Sequence, residues 1–213
     1  MLTIHHLGIS QSERVVWLCE ELGIPYEIKH YVRDPVTRLA PPELRDLHPA
    51  GTAPVMTDGD VQIAESGAIM QYIIAKYGNN RLALPPEHPD FAHYLYWFHF
   101  ANGNLQPHLG RNMVLNRIEA AKDHAVTASA RERVQRALAM VDARLATVPW
   151  LAGQEFTAAD IMNVFTFTTM RYFSPWDISP YPYLLTYLQR VAKRPAYVAA
   201  MAKGDPGMAL LLT

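Results

Sequence analysis

A small α/β domain followed by an all-helical one is the fold class this sequence predicts, and three observations predict it. In the first half, apolar residues switch between a two-residue period and a helical one. A hairpin pattern there opens on a proline, and beyond residue 90 strand patterns nearly vanish while helical periodicity continues. At 213 residues the chain is long for one compact domain and comfortable for two small ones.

The elements follow in order. Leu2, Ile4 and His6 alternate as a short strand. Residues 10–22 place Val15, Leu18, Cys19 and Leu22 on one helical face, and Gly23-Ile24-Pro25 stops that helix. Residues 26–31 read as a second strand. Pro41-Pro42 opens a short helix within 39–47, before His48-Pro49-Ala50-Gly51 turns the chain. Pro54 has no N–H for a sheet ladder, so it belongs at an edge, a bulge or a strand start. Val55 and Met56 lead from it to the turn signal Thr57-Asp58-Gly59-Asp60, and Val61 and Ile63 resume the alternation. Glu65-Ser66 then starts a helix carrying Ile69, Tyr72, Ile73 and Tyr77. This order predicts a four-stranded mixed sheet. Residues 80–89 are polar and proline-rich, a linker between a domain at 1–79 and a helical one at 90–213. Helices are expected over 91–117, bent at Pro107, and over 130–145, 157–172, 183–192 and 196–203. Thr157-Ala158-Ala159-Asp160 has the form of a capping box.

Composition excludes several function classes. Half the residues are hydrophobic, 18% are charged and the net charge is −1, which fits a packed soluble core. No lysine or arginine block marks a nucleic-acid or anionic-membrane surface. The apolar runs are short of a spanning helix, and Met1-Leu2-Thr3-Ile4 lacks a signal-peptide layout. A single cysteine rules out an internal disulfide framework and suits a reducing, cytoplasmic compartment. No metal is expected.

A proline at a strand start bares neighbouring backbone groups, and a nearby helix N-terminus offers unpaired amides and a positive dipole end. Together they suit a small peptide bearing a carboxylate. With the serine-containing first loop running into Arg14-Val15, Ala53-Pro54-Val55, Glu65-Ser66 and the capping box ending in Asp160, the chain resembles a cytosolic glutathione transferase over nearly its full length. The stretch from Arg33-Asp34 through Ala40-Pro41-Pro42-Glu43-Leu44 to His48-Pro49 is similar to a fungal and bacterial branch of that family. The resemblance implies a thioredoxin-like first domain, glutathione as co-substrate, a small electrophile as second substrate and a two-fold homodimer.

It also implies site residues. Glutathione's thiol is mostly protonated at neutral pH, and a hydrogen bond donated to the sulfur favours the thiolate without a basic side chain taking the proton. Ser10 lies four residues before Arg14, the offset of the active serine in serine-type classes, and Ser12 lies two before it. Both remain candidates, and Ser10-Gln11-Ser12-Glu13 also reads as a capping box. His5 and His6 fall on the strand and read as structural. The family pattern puts the γ-glutamyl carboxylate on Ser66 and its ammonium group on Glu65, with Val55 offering its backbone to the cysteinyl unit behind a cis Pro54. Where many relatives carry lysine, arginine or glutamine to grip the glycyl carboxylate, this chain has Thr52. Arg33, Arg38 and His48 are the candidate replacements. The second substrate is expected against His99, Asn102, His108 and Tyr172, among aromatics that also suit a core or a dimer contact. Cys19 reads as a buried core thiol. Alternatives are glutathione-dependent peroxide reduction, and a non-catalytic member that binds glutathione or apolar ligands.

Overall fold

The expected hairpin forms, and it organises the first unit. The computed structural model describes residues 1–213. Strands β3 (Val55–Asp58) and β4 (Val61–Ala64) pair antiparallel, turning at Gly59, whose φ of 60° is the left-handed conformation glycine adopts freely. Strand β1 (Leu2–Leu7) lies beside β3 antiparallel, and β2 (Glu27–Tyr31) lies beside β1 parallel, giving the order β2-β1-β3-β4. Helix α1 (Glu13–Leu22) makes the crossover between β1 and β2 and ends on left-handed Gly23. A one-turn helix α2 (Pro42–Arg45) starts on proline. Its Leu44 packs in a cluster with Leu7, Tyr31, Val55 and Ala64.

Helix α3 (Ser66–Lys76) buries Ile69, Met70, Ile73 and Ile74. Ile69 and Ile73 of the expected stripe are thus buried, but Tyr72 is half-buried and Tyr77 exposed, and Met70 and Ile74 complete the buried face in their place. Both hydroxyls instead donate to Asp58 Oδ2, at 2.8 and 2.5 Å, as does Lys76 Nζ at 2.7 Å. The hydrogen bonds from Lys76, Tyr77 and Tyr72, in that order, hold the Asp58 carboxyl well below the usual carboxylate range. A carboxylate with a depressed folded pKa stabilises the fold above its unfolded pKa and loses that contribution in acid. Asp58→Asn is therefore expected to lower the urea midpoint at neutral pH. The gap from wild type should narrow as pH falls below about 4.

By Cα proximity the chain groups into residues 1–83 with 191–210, and residues 84–190 with 211–213. The last helix, α9 (Pro195–Gly204), belongs with the first group. Its Tyr197 meets Trp17 edge-on at 4.8 Å, both fully buried. Arg194 makes a two-pronged pair with Glu21 at 2.6 and 2.7 Å, and Lys203 reaches Glu20 at 2.6 Å.

In the second group, α4 (Phe91–Phe100) and α5 (Gln106–Arg117) are joined by a π-helical turn, Ala101–Leu105. The expected disturbance at Pro107 takes this form because proline lacks an N–H and its ring crowds the carbonyl one turn back. A widened turn, with Gln106 N–H on Ala101 C=O, relieves that crowding without breaking the rod. Helix α6 (Ala125–Leu145) starts earlier than the apolar pattern suggests, capped by His124 Nδ1 accepting from Val126 N–H at 3.2 Å. Helix α7 (Ala158–Phe167) carries the capping box of Thr157 and Asp160 and stops at Thr168; the 3-10 turn Thr169–Tyr172 replaces its expected last turn. Helix α8 (Pro182–Ala192) follows.

Candidate active site

The loop between β1 and α1 is held from two sides. Ile9, at a φ of 52°, donates its N–H to Asp205 Oδ1 at 2.8 Å. The Arg33 guanidinium donates Nε to Gly8 C=O and Nη2 to Ile9 C=O, both at 3.1 Å, and Nη1 to Arg38 C=O at 3.0 Å. Three main-chain carbonyls thus fix this cation against the loop. His48 Nδ1 accepts from Ala50 N–H at 3.1 Å, and Thr52 is exposed. The replacements expected for a charge at Thr52 are, for Arg33 and His48, engaged with the backbone.

Both candidate serines stand at the start of α1, their hydroxyls 2.7 Å apart. Ser10 retains 6% exposure and Ser12 none, so of the two only Ser10 has surface that a ligand can touch. The expected capping box does not form: Ser12, not Ser10, is the N-cap, and its side chain makes no cap hydrogen bond. Helix α1 begins at Glu13, whose N–H goes to Ser10 C=O at 3.2 Å, while Ser10 Oγ accepts from Ser12 N–H at 3.2 Å. Behind Ser12, His6 presents Nδ1 at 2.9 Å from its hydroxyl, and Leu7 C=O lies at 3.3 Å. The far side of the His6 ring faces Asp205, with Nε2 at 3.3 Å from Oδ2. His5 points to the other face of β1, where Nδ1 meets Tyr31 OH at 2.9 Å and Nε2 meets Thr57 Oγ1 at 3.2 Å. Burial, with Lys29 adding to it, lowers the His5 pKa. His5 ties three strands together.

The Ala53–Pro54 peptide is cis, and Val55 follows as the first residue of β3, in register with His5 and with Ala64. Glu65 ends the hairpin with a φ of 70° and is exposed. A non-glycine residue held there costs on the order of 1–3 kcal/mol, a cost commonly carried at ligand sites. Ser66, next to it, is buried and accepts from Arg14 Nη1 at 3.1 Å. The same nitrogen donates to Gln11 Oε1 at 2.7 Å. Desolvation pulls the fully buried Arg14 down to about 9, with Glu13 opposing, so it remains charged at neutral pH. Arg14 therefore couples the start of α1 to the start of α3.

Among the residues expected to meet a second substrate, His108 lines a cleft of about 420 Å³ with Tyr96, Phe100, Arg133, Arg136 and Met140. Desolvation, then Arg111 and Arg133, lowers its pKa. His99, Asn102 and Tyr172 do not line that cleft; His99 and Tyr172 are exposed and Asn102 is half-buried.

Sequence reasoning did not pick out Arg14 as a partner of Ser66, Arg33 as a clamp on the loop, or Asp205 and His6 as neighbours of the serines. Arg14 and Ser66 are 52 residues apart and Ile9 and Asp205 are 196 apart, so no local pattern carries those pairings. His6 is only six residues from Ser12, but strand alternation gives no sign of that bond.

Residues 5–81 match the family described as glutathione S-transferase, N-terminal domain, and residues 69–195 match its C-terminal domain. The chain belongs to the glutathione S-transferase family. Glutathione S-transferase 3 of Schizosaccharomyces pombe is 32% identical over 217 residues, covering 95% of this chain and 88% of that one. A crystal structure of a glutathione S-transferase from Actinobacillus pleuropneumoniae superimposes with a TM-score of 0.88 at 30% identity, covering 96% of this chain and 93% of that one. A theta class glutathione S-transferase from Xanthomonas axonopodis, solved with glutathione bound, gives a TM-score of 0.72 at 29% identity over 100% and 99% of the two chains. The mixed four-stranded sheet and the helical second part are thus the thioredoxin-like and all-α parts of a glutathione S-transferase.

Proposed function

We propose that this transferase holds glutathione as a thiolate beside Ser10 and conjugates it to small apolar electrophiles such as aryl halides, epoxides and unsaturated carbonyls. The observation that carries the reading is Ser10, just ahead of α1 with 6% of its surface exposed and its hydroxyl backed by that of Ser12. A hydroxyl there donates to a sulfur anion that the helix dipole also favours. Each unit by which the thiol pKa falls corresponds to about 1.4 kcal/mol of preferential thiolate binding. The γ-glutamyl carboxylate is assigned to the N-terminus of α3 at Ser66, with Glu65 for its ammonium group and the Val55 backbone for the cysteinyl unit. The bound glutathione of the Xanthomonas relative supports this choice of ligand. Burial pushes the Cys19 thiol up to about 12, with Glu20 adding, which leaves the glutathione sulfur as the nucleophile.

Retention on immobilised glutathione and turnover of a chromogenic aryl halide test the reading. Neither binding nor turnover at millimolar glutathione overturns it in favour of a non-catalytic binder. Turnover of a hydroperoxide without aryl halide conjugation moves the electrophile from carbon to oxygen.

Arg14 donates to Ser66 Oγ, so the hydroxyl's own proton points away from the guanidinium. On this assignment Ser66→Ala raises KM for glutathione about tenfold, near 1.4 kcal/mol of binding, with kcat little changed. An equal fall in kcat moves Ser66 from binding to chemistry.

The same reading includes a two-fold dimer and a cytoplasmic setting. Leu95, Tyr96 and Met140 are exposed apolar residues of the helical part, a surface that a second copy covers. No helix is long and apolar enough to cross a membrane. A monomer in sedimentation removes the dimer from the reading.

A further inference from the structure

Behind Ser10 stands a chain of groups that a simple hydroxyl donor does not need. Ser10 Oγ, Ser12 Oγ and His6 Nδ1 follow at 2.7 and 2.9 Å, and the ring's other nitrogen faces the Asp205 carboxylate at 3.3 Å. Ser12 and His6 have no exposure at all. We propose that His6 is the proton acceptor for the ligand thiol, reached through the two serine hydroxyls, and that Asp205 positions and stabilises it as an imidazolium. This rests on the reading that the glutathione sulfur lies at Ser10.

The direction of each hydrogen bond follows from the neighbours. Nε2 and Asp205 Oδ2 lie 3.3 Å apart without a well-aligned hydrogen bond. The negative charge opposite Nε2 nonetheless favours a proton on that nitrogen, which leaves Nδ1 of the neutral ring as an acceptor. Ser12 then donates to His6, and Ser10 donates to Ser12. With its one proton directed inward, Ser10 can only accept from the thiol. When the thiol ionises, its proton passes to Ser10, the Ser10 proton to Ser12, and the Ser12 proton to Nδ1. The S–H bond breaks, an N–H bond forms, and both hydroxyls reverse. Ser10 now donates to the thiolate, and the new imidazolium charge faces Asp205. The Leu7 carbonyl, at 3.3 Å from Ser12, is a longer alternative for that proton than either neighbour in the chain.

The carboxylate is fixed for this task. Ile9 N–H holds Oδ1 at 2.8 Å and leaves Oδ2 toward the ring. The ring packs on Gly204, where a Cβ would lie 3.0 Å from its Cε1. The titratable group facing the ring from β2 is His30, edge-on at 5.6 Å, with its Nε2 on Lys203 C=O at 2.9 Å. From α1 the ring meets the Ser12 hydroxyl, and from the segment after α9 it meets Asp205. Arg33, its pKa lowered by desolvation and Arg38 and raised by Asp205, is a further charge in the field of that carboxylate.

The test is a proton count. Thiolate absorbance and proton release are measured together, in weakly buffered solution with a pH indicator, as glutathione is added to wild type, Asp205→Asn and His6→Asn. Asparagine at 205 keeps an oxygen for Ile9 N–H and removes only the charge. Wild type is expected to form thiolate while releasing well under one proton per site, and both variants to release about one. In Asp205→Asn the thiolate midpoint should rise by about one pH unit, a tenfold change. Wild type releasing a full proton per thiolate, as His6→Asn does, overturns the relay and leaves the sulfur at Ser10. Bound glutathione without a thiolate band in wild type overturns the underlying reading with it. A purely structural role for His6 changes the melting temperature and leaves the proton count alone.

Discussion

Ser10→Ala is expected to lower kcat/KM for aryl halide conjugation by about two orders of magnitude, the usual consequence of removing one hydrogen-bond donor from a developing or stabilised anion. That loss is about 2.7 kcal/mol. Most of it should fall on kcat, because the peptide part of glutathione is assigned to Val55, Glu65 and Ser66, which the substitution does not touch. Without the donor the thiol pKa moves back toward its free value, so the pH–rate profile should shift upward. Ser12→Ala is the informative control. Ser12 has no exposure and stands behind Ser10, so its removal spares the direct donor and interrupts only what lies deeper. It should cost about tenfold, less than Ser10→Ala. The reverse ranking transfers the sulfur contact to Ser12. Full turnover by Ser10→Ala removes that residue from the mechanism.

The order of strands and helices was legible because each signal is local. Pro54 and the turn at Gly59 mark the hairpin without reference to anything distant, and Thr157 and Asp160 announce a helix start four residues wide. The site was legible only as separate pieces. Ser10, Val55 and Ser66 stand in motifs, but the bonds joining them to their supports span the chain. Arg14 meets Ser66 across 52 residues, and Ile9 meets Asp205 across 196. His6 looked like one more inward residue of β1, since alternation gives a face and says nothing of a partner. The two tyrosines of α3 failed for a related reason. Helical spacing places them near the core stripe, yet their hydroxyls favour the Asp58 carboxylate at the end of β3. The early start of α6 was hidden because histidine is not among the usual N-cap residues, although its ring nitrogen accepts as a serine oxygen would.

The largest stability effect is expected at Asp160. Its carboxylate is wholly buried and satisfies donors from three places. Oδ2 accepts from Thr157 N–H at 2.9 Å, while Oδ1 accepts from Leu151 N–H at 2.9 Å and from Tyr187 OH at 3.1 Å. The capping box is thus also the clasp that fastens the 151 segment and α8 to the start of α7. Asp160→Ala deletes the common acceptor and leaves those donors buried, each costing roughly 1–3 kcal/mol when unpaired. The site is sealed, so water replaces the lost oxygen poorly, and a net loss of about 4 kcal/mol follows. Against the 5–15 kcal/mol typical of folded domains, about 4 kcal/mol is enough to bring the variant near unfolding at growth temperatures. Urea denaturation reads it as a fall in midpoint with an unchanged slope. Asp160→Asn keeps one acceptor oxygen but turns an amide N–H toward a donor, so it should recover only part of the loss. A penalty under about 1 kcal/mol for the alanine variant would mean that these donors find other partners. Below its unfolding transition the same variant should retain wild-type kcat/KM, because none of these bonds reaches the serines of α1.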